Sequence, residues 1–357
     1  MYSEKTENEL TLIRSALNEL FEESGIKPSE IKKTIERLSR EYTGGKTDIL
    51  KEKDALGYAL YFLPEHIPKI YFVLKELGER FGTLLKNTEE IFDLGCGTGT
   101  ASLIAVALNH CKIPVTLIDK NRFMIQTAEK LLQKIGCKDY RRICRDFTDS
   151  FSTSEKRTLY IMMNTLSENV DKSEKILSLI DSILNTKNEN LIIIIEPFNT
   201  KAKEIMKKIR TEFNNEILLP CINSSLCPLA EYQEGICAFS IRQDISLRLQ
   251  TVINAGHKMA KFYYLVISGF TKEKEENLFR VLEYPIERKY GFDIRVCSGT
   301  QVFIIKTRIK NSAEKRRIGN ISPNDIIQIS TDNIKDNTLF QADQIQAYKI
   351  IRTASKT

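Results

Sequence analysis

Apolar residues in the first part of the chain recur at the three- and four-residue spacing of an amphipathic helix. Leu10, Ile13 and Leu17 fall on one helical face, and a second helical pattern begins at Pro28. Proline is well suited to the first turn of a helix, where its missing N–H costs nothing. The pattern therefore predicts that residues 1–85 form a helical N-terminal region.

The helical pattern resumes from Asp54 to Leu77, where it is rich in tyrosine and phenylalanine. Pro64 and Pro68 interrupt it. Proline lacks the backbone donor of an interior helical residue, and its ring clashes with the preceding turn. We therefore expect two helices here instead of one.

From about residue 88 to residue 200, short apolar runs alternate with helical stretches. The runs are Glu90–Leu94, Val115–Asp119, Tyr140–Cys144, Leu159–Asn164 and Leu191–Glu196. This alternation is typical of an α/β fold in which parallel strands form a doubly wound sheet with right-handed crossovers. Ligands bind at the carboxyl edge of such sheets, which is where Asn164 and Glu196 end their strands.

A glycine-rich turn follows the first strand, in the segment Phe92–Thr100 with the sequence FDLGCGTGT. Gly95, Gly97 and Gly99 let the main chain turn sharply beside a ligand, and the next helix presents unpaired amides. Dinucleotide enzymes use the spacing G-x-G-x-x-G around a pyrophosphate. Here the spacing is G-x-G-x-G with Asp93 before it, which suits a cationic amino-acid moiety. We therefore predict a site for S-adenosylmethionine, with an ordinary glycine turn as the alternative.

Two further acids follow later strands of the predicted sheet. Asp119 ends the second strand, at the position where such folds bind a ribose diol, and Asp146 follows the third. Asp146 could accept a hydrogen bond from an adenine amino group. Together with Asp93 and the glycines, these acids predict a class I (Rossmann-like) S-adenosylmethionine-dependent methyltransferase fold.

Composition and charge are consistent with a protein of the cell interior. The 357 residues carry a net charge of +6 and contain no apolar run long enough to span a membrane. The acidic and polar start of the chain lacks a signal-peptide pattern, so we predict a cytoplasmic protein without a membrane partner. Basic residues concentrate at Lys201–Arg210 and Lys306–Arg317, where they indicate either solvated faces or contacts to RNA.

The eight cysteines form two groups. The first group, interpreted as small buried residues of the sheet region, is Cys96, Cys111, Cys137 and Cys144. The second group is Cys221, Cys227, Cys237 and Cys297. Disulfides are rare inside cells, so the second group favours a zinc ion or an iron–sulfur cluster. Unrelated buried thiols are the alternative, the spacing does not choose between these, and His257 is a further candidate ligand.

The segment around the cysteines resembles a known family. In chain order it reads Glu196-Pro197, Leu219-Pro220-Cys221, Leu226-Cys227-Pro228-Leu229, Gly235-Ile236-Cys237-Ala238-Phe239-Ser240-Ile241-Arg242 and Lys261-Phe262-Tyr263-Tyr264-Leu265. This order is similar to the E-P-G, P-C-P-H, C-P-L, W-C-H-F-x-x-R and K-F-S-Y-L segments of the methyltransferase-like assembly-factor family of the mitochondrial ribosomal small subunit, which has bacterial and archaeal members. Including a stretch around Ala55–Ala59, the resemblance covers residues 42–308.

The resemblance implies a methyltransferase domain that carries a [4Fe-4S] cluster and associates with small-subunit ribosomal RNA or a pre-ribosomal particle. The implied cluster ligands are Cys221, Cys227, Cys237 and Cys297. The departures from the family's segments, none of which removes a cysteine, are Phe198, Ile222, Asn223, Ile236 and Ala238. A further departure is Thr165, which stands where the family has the glutamate of an N-E-L segment. Thr165 thus removes an acid close to the predicted methyl-transfer edge, whereas the predicted cofactor-binding residues are all present.

The expected organisation has four parts. Residues 1–85 form the helical region, 86–215 the S-adenosylmethionine-binding domain, 216–310 a cysteine-cluster module that completes the sheet, and 311–357 a basic C-terminal extension. The extension is predicted to be either a flexible appendage or a small RNA-contacting element.

The acceptor side of the predicted site has three polar candidates, Asn164, Glu168 and Glu196, with capping or supporting hydrogen bonds as their alternative roles. The segment after the fourth strand lacks the Asn/Asp-Pro-Pro-aromatic signature of exocyclic-amine methyltransferases. A nucleophilic role for Cys221 is disfavoured, because the Pro-Cys motif of cytosine-C5 enzymes directly follows the fourth strand.

These observations leave three functions open. The first is an S-adenosylmethionine-dependent methyltransferase that acts on small-subunit ribosomal RNA. The second is a non-catalytic assembly factor that uses the same fold as a scaffold for this RNA. The third is a small-molecule or protein methyltransferase with a structural zinc site. The sequence does not indicate an oligomeric state.

Overall fold

The computed structural model describes most of the chain in two units. The described residues are 4–43, 49–149, 153–186, 188–230, 235–242, 259–273, 275, 277–329, 339–341 and 345–348. The first unit contains Met1–Pro197 and Ile241–Phe262, and the second contains Phe198–Ser240 and Tyr263–Thr357. Within the described residues, no helix has the length and apolar character needed to cross a membrane.

Three helices open the first unit: α1 (Glu4–Glu23), α2 (Pro28–Thr43) and α3 (Glu52–Lys86). The predicted division at the two prolines is wrong, because Pro64 and Pro68 lie inside α3, and the departure from helical φ/ψ comes later, at Phe81. Proline costs about 3 kcal/mol inside a helix. Most of α3 before Phe81 is buried, and this tertiary packing outweighs the local cost.

Five parallel strands form the sheet of the first unit. They are β1 (Glu90–Leu94), β2 (Val115–Asp119), β3 (Tyr140–Cys144), β4 (Thr158–Met163) and β5 (Leu191–Pro197). Their order is β3-β2-β1-β4-β5 and every neighbouring pair is parallel. The predicted doubly wound α/β sheet is confirmed, and its strand order reverses between β1 and β4, where ligands bind in such folds.

Three helices connect these strands: α4 (Thr100–Leu108), α5 (Arg122–Lys134) and α6 (Ser173–Leu184). Every residue of β1 is buried, and so is almost every residue of β4 and β5. Strands that are covered on both faces are nearly continuous apolar runs, which is why their positions could be predicted closely.

The second unit begins with α7 (Thr200–Glu212) and β6 (Ile217–Leu219). Next in the chain come β7 (Phe239–Arg242) and β8 (Met259–Ile267), which pair with each other; β7 begins and β8 ends in the second unit. The later part of β8 runs antiparallel to β6, with Ile217 opposite Ile267.

A seven-stranded sheet completes the second unit. Its elements are β9 (Leu278–Val281), β10 (Ile286–Arg288), β11 (Gly291–Cys297), β12 (Val302–Arg308), α8 (Ser312–Gly319), β13 (Ile326–Ile329), β14 (Leu339–Gln341) and β15 (Ile345–Tyr348). The strand order is β14-β12-β11-β9-β13-β15, and β10 pairs with β11.

The described part of the predicted C-terminal extension belongs to this sheet and its core. Ile318, Ile327 and Ile345 pack in one buried cluster with Phe292 and Ile294. The flexible-appendage interpretation is therefore wrong for these residues. The short apolar runs of this extension alternate with polar residues, as is typical of antiparallel strands that have one solvated face.

The first group of cysteines is less uniform than predicted. Cys96 and Cys137 are buried and Cys111 is half-buried, but Cys144 is exposed. The prediction is wrong for Cys144 because β3 is the edge strand of its sheet and leaves several of its side chains in solvent.

Candidate functional site

The glycine loop between β1 and α4 forms one wall of a cavity. Gly95, Gly97 and Gly99 have φ angles of 73°, 53° and 81°. A Cβ atom on Gly95 would lie 2.4 Å from Oγ1 of Thr165, and one on Gly99 would lie 2.9 Å from Cβ of Ala128. Glycine is required at both positions, because any other residue would strain the backbone and collide with its neighbour.

The cavity lies at the carboxyl end of β1 and β4. The loop Gly95–Thr98 and the segment Met163–Thr165 line it, and the other side chains around it include Asp93, Tyr58, His66, Met124 and Glu168. Five of the predicted site residues line this cavity: Asp93, Gly95, Gly97, Asn164 and Glu168. The other four predicted residues of this site lie outside its lining: Gly99, Asp119, Asp146 and Glu196.

Asp93 is a fully buried acid on the cavity wall. Its Oδ2 accepts hydrogen bonds from the backbone N–H of Ser102, at 3.1 Å, and from the Ser102 hydroxyl. Burial raises the pKa of Asp93 to about 6, against the lowering effect of the Ser102 hydrogen bonds. Its Oδ1 has no hydrogen-bond partner among the described residues, so one oxygen remains available to a ligand.

Asp119 connects β2 to the glycine loop. Its Oδ2 accepts the N–H of Gly97 at 2.9 Å, and its Oδ1 accepts the N–H of Asn121 at 2.8 Å. Burial raises the pKa of Asp119, opposed by these two backbone hydrogen bonds. The carboxylate therefore holds the loop in place, and each oxygen keeps a second lone pair for another donor.

Asp146 already makes an ion pair with Lys172 and hydrogen bonds with Thr148. Its Oδ2 lies 2.6 Å from Nζ of Lys172, and its Oδ1 accepts both the N–H and the hydroxyl of Thr148. Partial burial raises the pKa of Asp146, but the bonds from Lys172 and Thr148 outweigh it and lower the pKa to about 2.

Asn164 is in a strained conformation at the end of β4. Its φ of 55° lies in the left-handed region, which asparagine tolerates better than most residues. Its Nδ2 lies 3.0 Å from Nδ1 of His66. Burial, assisted by the charge of Lys69, lowers the pKa of His66 well below its ordinary value, so the ring is neutral and Nδ1 accepts from the amide.

Two polar atoms on the cavity wall are buried without a hydrogen-bond partner among the described residues. They are Oδ1 of Asn164 and Oγ1 of Thr98. Buried polar atoms in native structures are almost always paired. Two such atoms facing one cavity therefore indicate a polar ligand.

Glu196 lies behind the cavity and is fully buried. Its Oε1 accepts the N–H groups of Thr165 and Leu166 at 2.9 and 2.8 Å, and its Oε2 accepts that of Ser167 at 3.0 Å. Burial raises the pKa of Glu196, opposed by these backbone bonds. The carboxylate thereby organises the turn that carries Asn164.

Glu168 is the second acid on the cavity wall. Although Glu168 is exposed, desolvation of its carboxyl group by neighbouring atoms and the nearby charge of Glu196 raise its pKa to about 7. A carboxyl group with such a pKa can gain or lose a proton near neutral pH.

The four cysteines of the second group are brought near one another within the second unit. Burial raises the pKa of Cys237 well above its ordinary value, and the sulfurs of Cys297, Cys221 and Cys227 add to this effect. The Gly299 N–H donates to Sγ of Cys297 at 3.2 Å. In the described part of the chain, no three His, Cys, Asp or Glu side chains are arranged so that they could hold a metal ion. His257 lies outside the described residues.

A buried arginine accompanies these thiols. Burial lowers the pKa of Arg210, but the sulfurs of Cys221, Cys227 and Cys237 outweigh it and raise the pKa. Its Nη2 donates to the carbonyl of Ser225 at 2.7 Å, whereas Nε and Nη1 have no hydrogen-bond partner among the described residues. A buried cation with two unused donors needs an anionic or sulfur-rich neighbour.

A family profile described as "Mitochondrial small ribosomal subunit Rsm22" matches residues 52–320, about three quarters of the 357 residues. The chain belongs to the Rsm22 family. The Rsm22 match includes the glycine loop and all four cysteines of the second group. It confirms the family resemblance and tests no individual residue.

No curated protein matches this Rsm22-family chain at a significant level. Among solved structures, a candidate RNA methyltransferase from Pyrococcus horikoshii is 12% identical with a TM-score of 0.36, over 57% of this chain and 80% of that one. An S-adenosylmethionine-dependent O-methyltransferase from Thermotoga maritima is 13% identical with a TM-score of 0.33, over 66% of this chain and 72% of that one. These likenesses are distant, and the fold assignment rests on the strand order.

Several residues of the Rsm22-family site were not predicted from the sequence. His66 and Tyr58 reach the cavity from α3, and Met124 reaches it from α5. Arg210 was noted only as one member of a basic cluster. In each case the residue lies on a helix whose spacing predicts a buried face without indicating what that face meets.

Proposed function

We propose that the cavity binds S-adenosylmethionine and that the protein works with small-subunit ribosomal RNA as a methyltransferase or a methyltransferase-like factor. The observation that carries the proposal is that three features meet at one cavity: a positive-φ glycine loop, a buried carboxylate and two polar atoms without a hydrogen-bond partner in the described part of the chain. The ribosomal part is supported by the family description, which names the mitochondrial small ribosomal subunit.

The residues present suit this ligand. S-adenosylmethionine supplies a methyl group made electrophilic by its sulfonium sulfur. Oδ1 of Asp93 can accept the α-ammonium group of its amino-acid moiety, and Asp119 has lone pairs left for ribose hydroxyls. Asp146 already receives bonds from Lys172 and Thr148, so an adenine amino group would compete with Lys172 there.

The acceptor side would be formed by Asn164 and Glu168. The unpartnered Oδ1 of Asn164 can accept a hydrogen bond from the incoming nucleophile, and the neutral His66 fixes the amide orientation. Glu168, with a pKa of about 7, can accept the proton that the nucleophile loses. Most of the acceleration in methyl transfer comes from such positioning of the reacting atoms.

Calorimetric titration with S-adenosylmethionine tests the cofactor part. Gly97→Ala adds a methyl group to the cavity wall at a φ of 53°, where its nearest neighbour is Cε of Met124 at 3.6 Å. Gly136→Ala is the matched control, because its φ is 83° and a Cβ there meets nothing within 4 Å. We expect comparable strain in both variants and weakened binding only in Gly97→Ala. A folded wild-type protein that gives no binding heat contradicts the proposal.

A non-catalytic assembly factor is the second candidate, because Thr165 stands where the family has an acid and Glu196 uses both oxygens on backbone amides. Transfer of radiolabelled methyl groups to isolated small-subunit particles distinguishes the two. Labelling that is lost in Asn164→Ala, with cofactor binding retained, supports the enzyme. Tight particle binding without labelling supports the scaffold.

We further propose that Cys221, Cys227, Cys237 and Cys297 hold a [4Fe-4S] cluster. The proposal is supported by the mutual electrostatic influence of the four thiols and by two Arg210 nitrogens, Nε and Nη1, that have no hydrogen-bond partner within the described residues. A thiolate-ligated cluster is anionic, and hydrogen bonds to its sulfurs tune such centres. The positive charge of Arg210 would balance the negative charge of the cluster, and the Gly299 N–H would supply a hydrogen bond to a ligand sulfur.

Metal and sulfide analysis after anaerobic purification tests the cluster. We expect about four iron and four sulfide per chain with broad visible absorption. One zinc per chain without sulfide supports the structural zinc site instead, and absence of both metals in fully folded protein contradicts any metal site. Cys144→Ser, which changes an exposed thiol of the first unit, is the control that should keep the full metal content.

A further inference from the structure

The outer face of β10, β11 and β12 carries exposed basic and apolar side chains. The strand register places Ile286 opposite Asp293, and Asp293 opposite Lys306. Arg288 and Arg308 lie on the same side, because β10 and β12 alternate with period two. Facing residues on neighbouring strands share one face of a sheet, so these residues form one continuous surface.

Two exposed tyrosines border β10 in the sequence. Tyr284 and Tyr290 are 67% and 66% exposed, although tyrosine usually buries most of its ring. Nζ of Lys289 lies 5.0 Å from the centroid of the Tyr290 ring. The N–H of Ile309 donates to the carbonyl of Tyr290, which fixes this turn beside the end of β12. Both rings therefore lie largely in solvent, and a backbone hydrogen bond holds the turn that carries Tyr290.

The charges of this surface are only partly neutralised within the described chain. Arg288 pairs with Asp293 at 2.7 Å, and Arg295 pairs with Glu283 at 2.5 Å. Lys306 and Arg308 are exposed on β12 and make no ion pair with a described residue. Two cations that make no ion pair with a described residue thus share a face with Ile286, and the two exposed tyrosines flank β10 in the chain.

We propose that this surface, defined by Tyr284, Ile286, Tyr290, Lys306 and Arg308, binds a single-stranded segment of RNA. Unstacked bases lie on exposed aromatic rings in such complexes, and lysine and arginine neutralise the phosphates. A duplex keeps its bases stacked and offers no free face to the tyrosines. An acidic protein would use the cations but leave the rings unoccupied, so single-stranded RNA accounts for the whole surface.

The inference rests on the proposed association with ribosomal RNA and assigns its contact to the second unit. The test is fluorescence anisotropy of a labelled 12-nucleotide oligouridine with the full-length protein, at several salt concentrations. We expect Tyr284→Ala combined with Tyr290→Ala to weaken binding at least about tenfold, because each base stacked on an aromatic ring contributes substantially. We expect Lys306→Gln combined with Arg308→Gln to reduce the salt slope by about 1.4, since each single-strand phosphate contact contributes about 0.7.

Matched controls lie in the first unit. Leu50→Ala removes a 71% exposed apolar side chain, and Lys32→Gln combined with Lys33→Gln removes two exposed charges from α2. Both controls should bind like the wild type. Equal affinity for the 12-mer and for a duplex RNA, or unchanged binding in the tyrosine variant, overturns the proposal.

Sedimentation with small-subunit particles separates failure of this surface from failure of the proposed function. If the wild-type protein co-sediments with particles but does not bind the 12-mer, the surface assignment is overturned and the ribosomal association stands. If the tyrosine variant loses particles but keeps 12-mer affinity, the surface contacts a ribosomal protein, and the assignment to RNA is again overturned. A wild-type protein that binds neither particles nor S-adenosylmethionine overturns the proposed function itself.

Discussion

Two buried acids show how residues of one type differ in role at this sheet edge. Asp93 and Glu196 are both fully buried near the ends of their strands. Glu196 uses both oxygens on three backbone N–H groups, whereas Oδ1 of Asp93 has no hydrogen-bond partner among the residues that the structure describes. The sequence identifies both as acids at the carboxyl edge. Only the surrounding hydrogen bonds distinguish the one that can meet a ligand.

The pKa of Asp93 predicts a pH dependence for cofactor affinity. Burial raises this pKa to about 6, so the carboxyl is neutral below pH 6 and cannot attract an ammonium group. Affinity for S-adenosylmethionine should rise about tenfold between pH 5 and pH 7, and fall again near pH 8 as the α-amino group of the ligand deprotonates. Calorimetry across this range measures the effect.

Other titratable groups face the same cavity, so the experiment needs variants that separate their effects from that of Asp93. These groups are Glu168, with a pKa of about 7, His66, whose pKa burial lowers well below its ordinary value, and Cys96, whose pKa burial raises well above its ordinary value. Asp93→Asn should abolish the rise between pH 5 and pH 6, and Glu168→Gln should keep it. The opposite result would assign the ammonium contact to Glu168.

Glu196→Gln should destabilise the first unit, because an amide presents an N–H₂ group to one of the three backbone donors. Leaving a buried donor unpaired costs about 1–3 kcal/mol. Urea denaturation measures the loss. Glu189→Gln is the control, since its ion pair with Arg157 is 45% exposed on the glutamate side and such pairs contribute at most about 1 kcal/mol. Equal stability of both variants would show that Glu196 does not organise the turn.

Arg210→Met should lower the reduction potential of the proposed cluster, because a nearby buried cation stabilises the more negative reduced state. Arg210→Lys should restore part of the shift. A redox titration followed by electron paramagnetic resonance measures the potential. Lys201→Gln, at an exposed position of α7, should leave it unchanged. An unaltered potential in Arg210→Met with full iron content would exclude this electrostatic role.

At the scale of elements, the predictability of the fold depends on how local each signal is. The strands β1, β4 and β5 are buried on both faces, so their apolar runs mark them with bounds that differ from the structure by one residue at most. The course of α3 depends on burial against other elements, which outweighs the local effect of two prolines. The prolines are visible in the sequence, but the burial of α3 against other elements is not.

The packing of α3 against α2 predicts opposite effects for two glycines of the same helix. A Cβ on Gly57 would lie 2.9 Å from Cγ2 of Thr34, whereas a Cβ on Gly78 meets only Cδ2 of Leu85 at 3.8 Å. Gly57→Ala should destabilise by about 1–3 kcal/mol through overpacking. Gly78→Ala should stabilise by about 0.5–1 kcal/mol through reduced chain entropy. Thermal or urea unfolding measures whether each variant is less or more stable than the wild type. Stabilisation by Gly57→Ala would show that α2 can move to make room for the added methyl group.

At the scale of the whole molecule, the two units carry separate chemistry. The predicted cofactor residues lie in the first unit, and the four cysteines of the second group lie in the second. Strand-end acids can be located from local sequence because each follows its own apolar run. Convergence of Cys297 with thiols some 60 or more positions earlier has no local signal: the cysteine content left it open beside unrelated buried thiols, and the family resemblance implied it.

Because the cysteines close long loops within the second unit, loss of one ligand should affect that unit alone. With the cluster loaded, Cys227→Ser should reduce amide protection across residues 198–230 and 263–329 and leave β1–β5 as protected as in the wild type. The reason is that metal binding contributes folding free energy where its ligands lie, and an open loop loses its closure. Hydrogen exchange followed by mass spectrometry resolves the two units, with Cys144→Ser as the control. A uniform loss of protection would mean that the two units fold as one cooperative body and that the cysteines stabilise both.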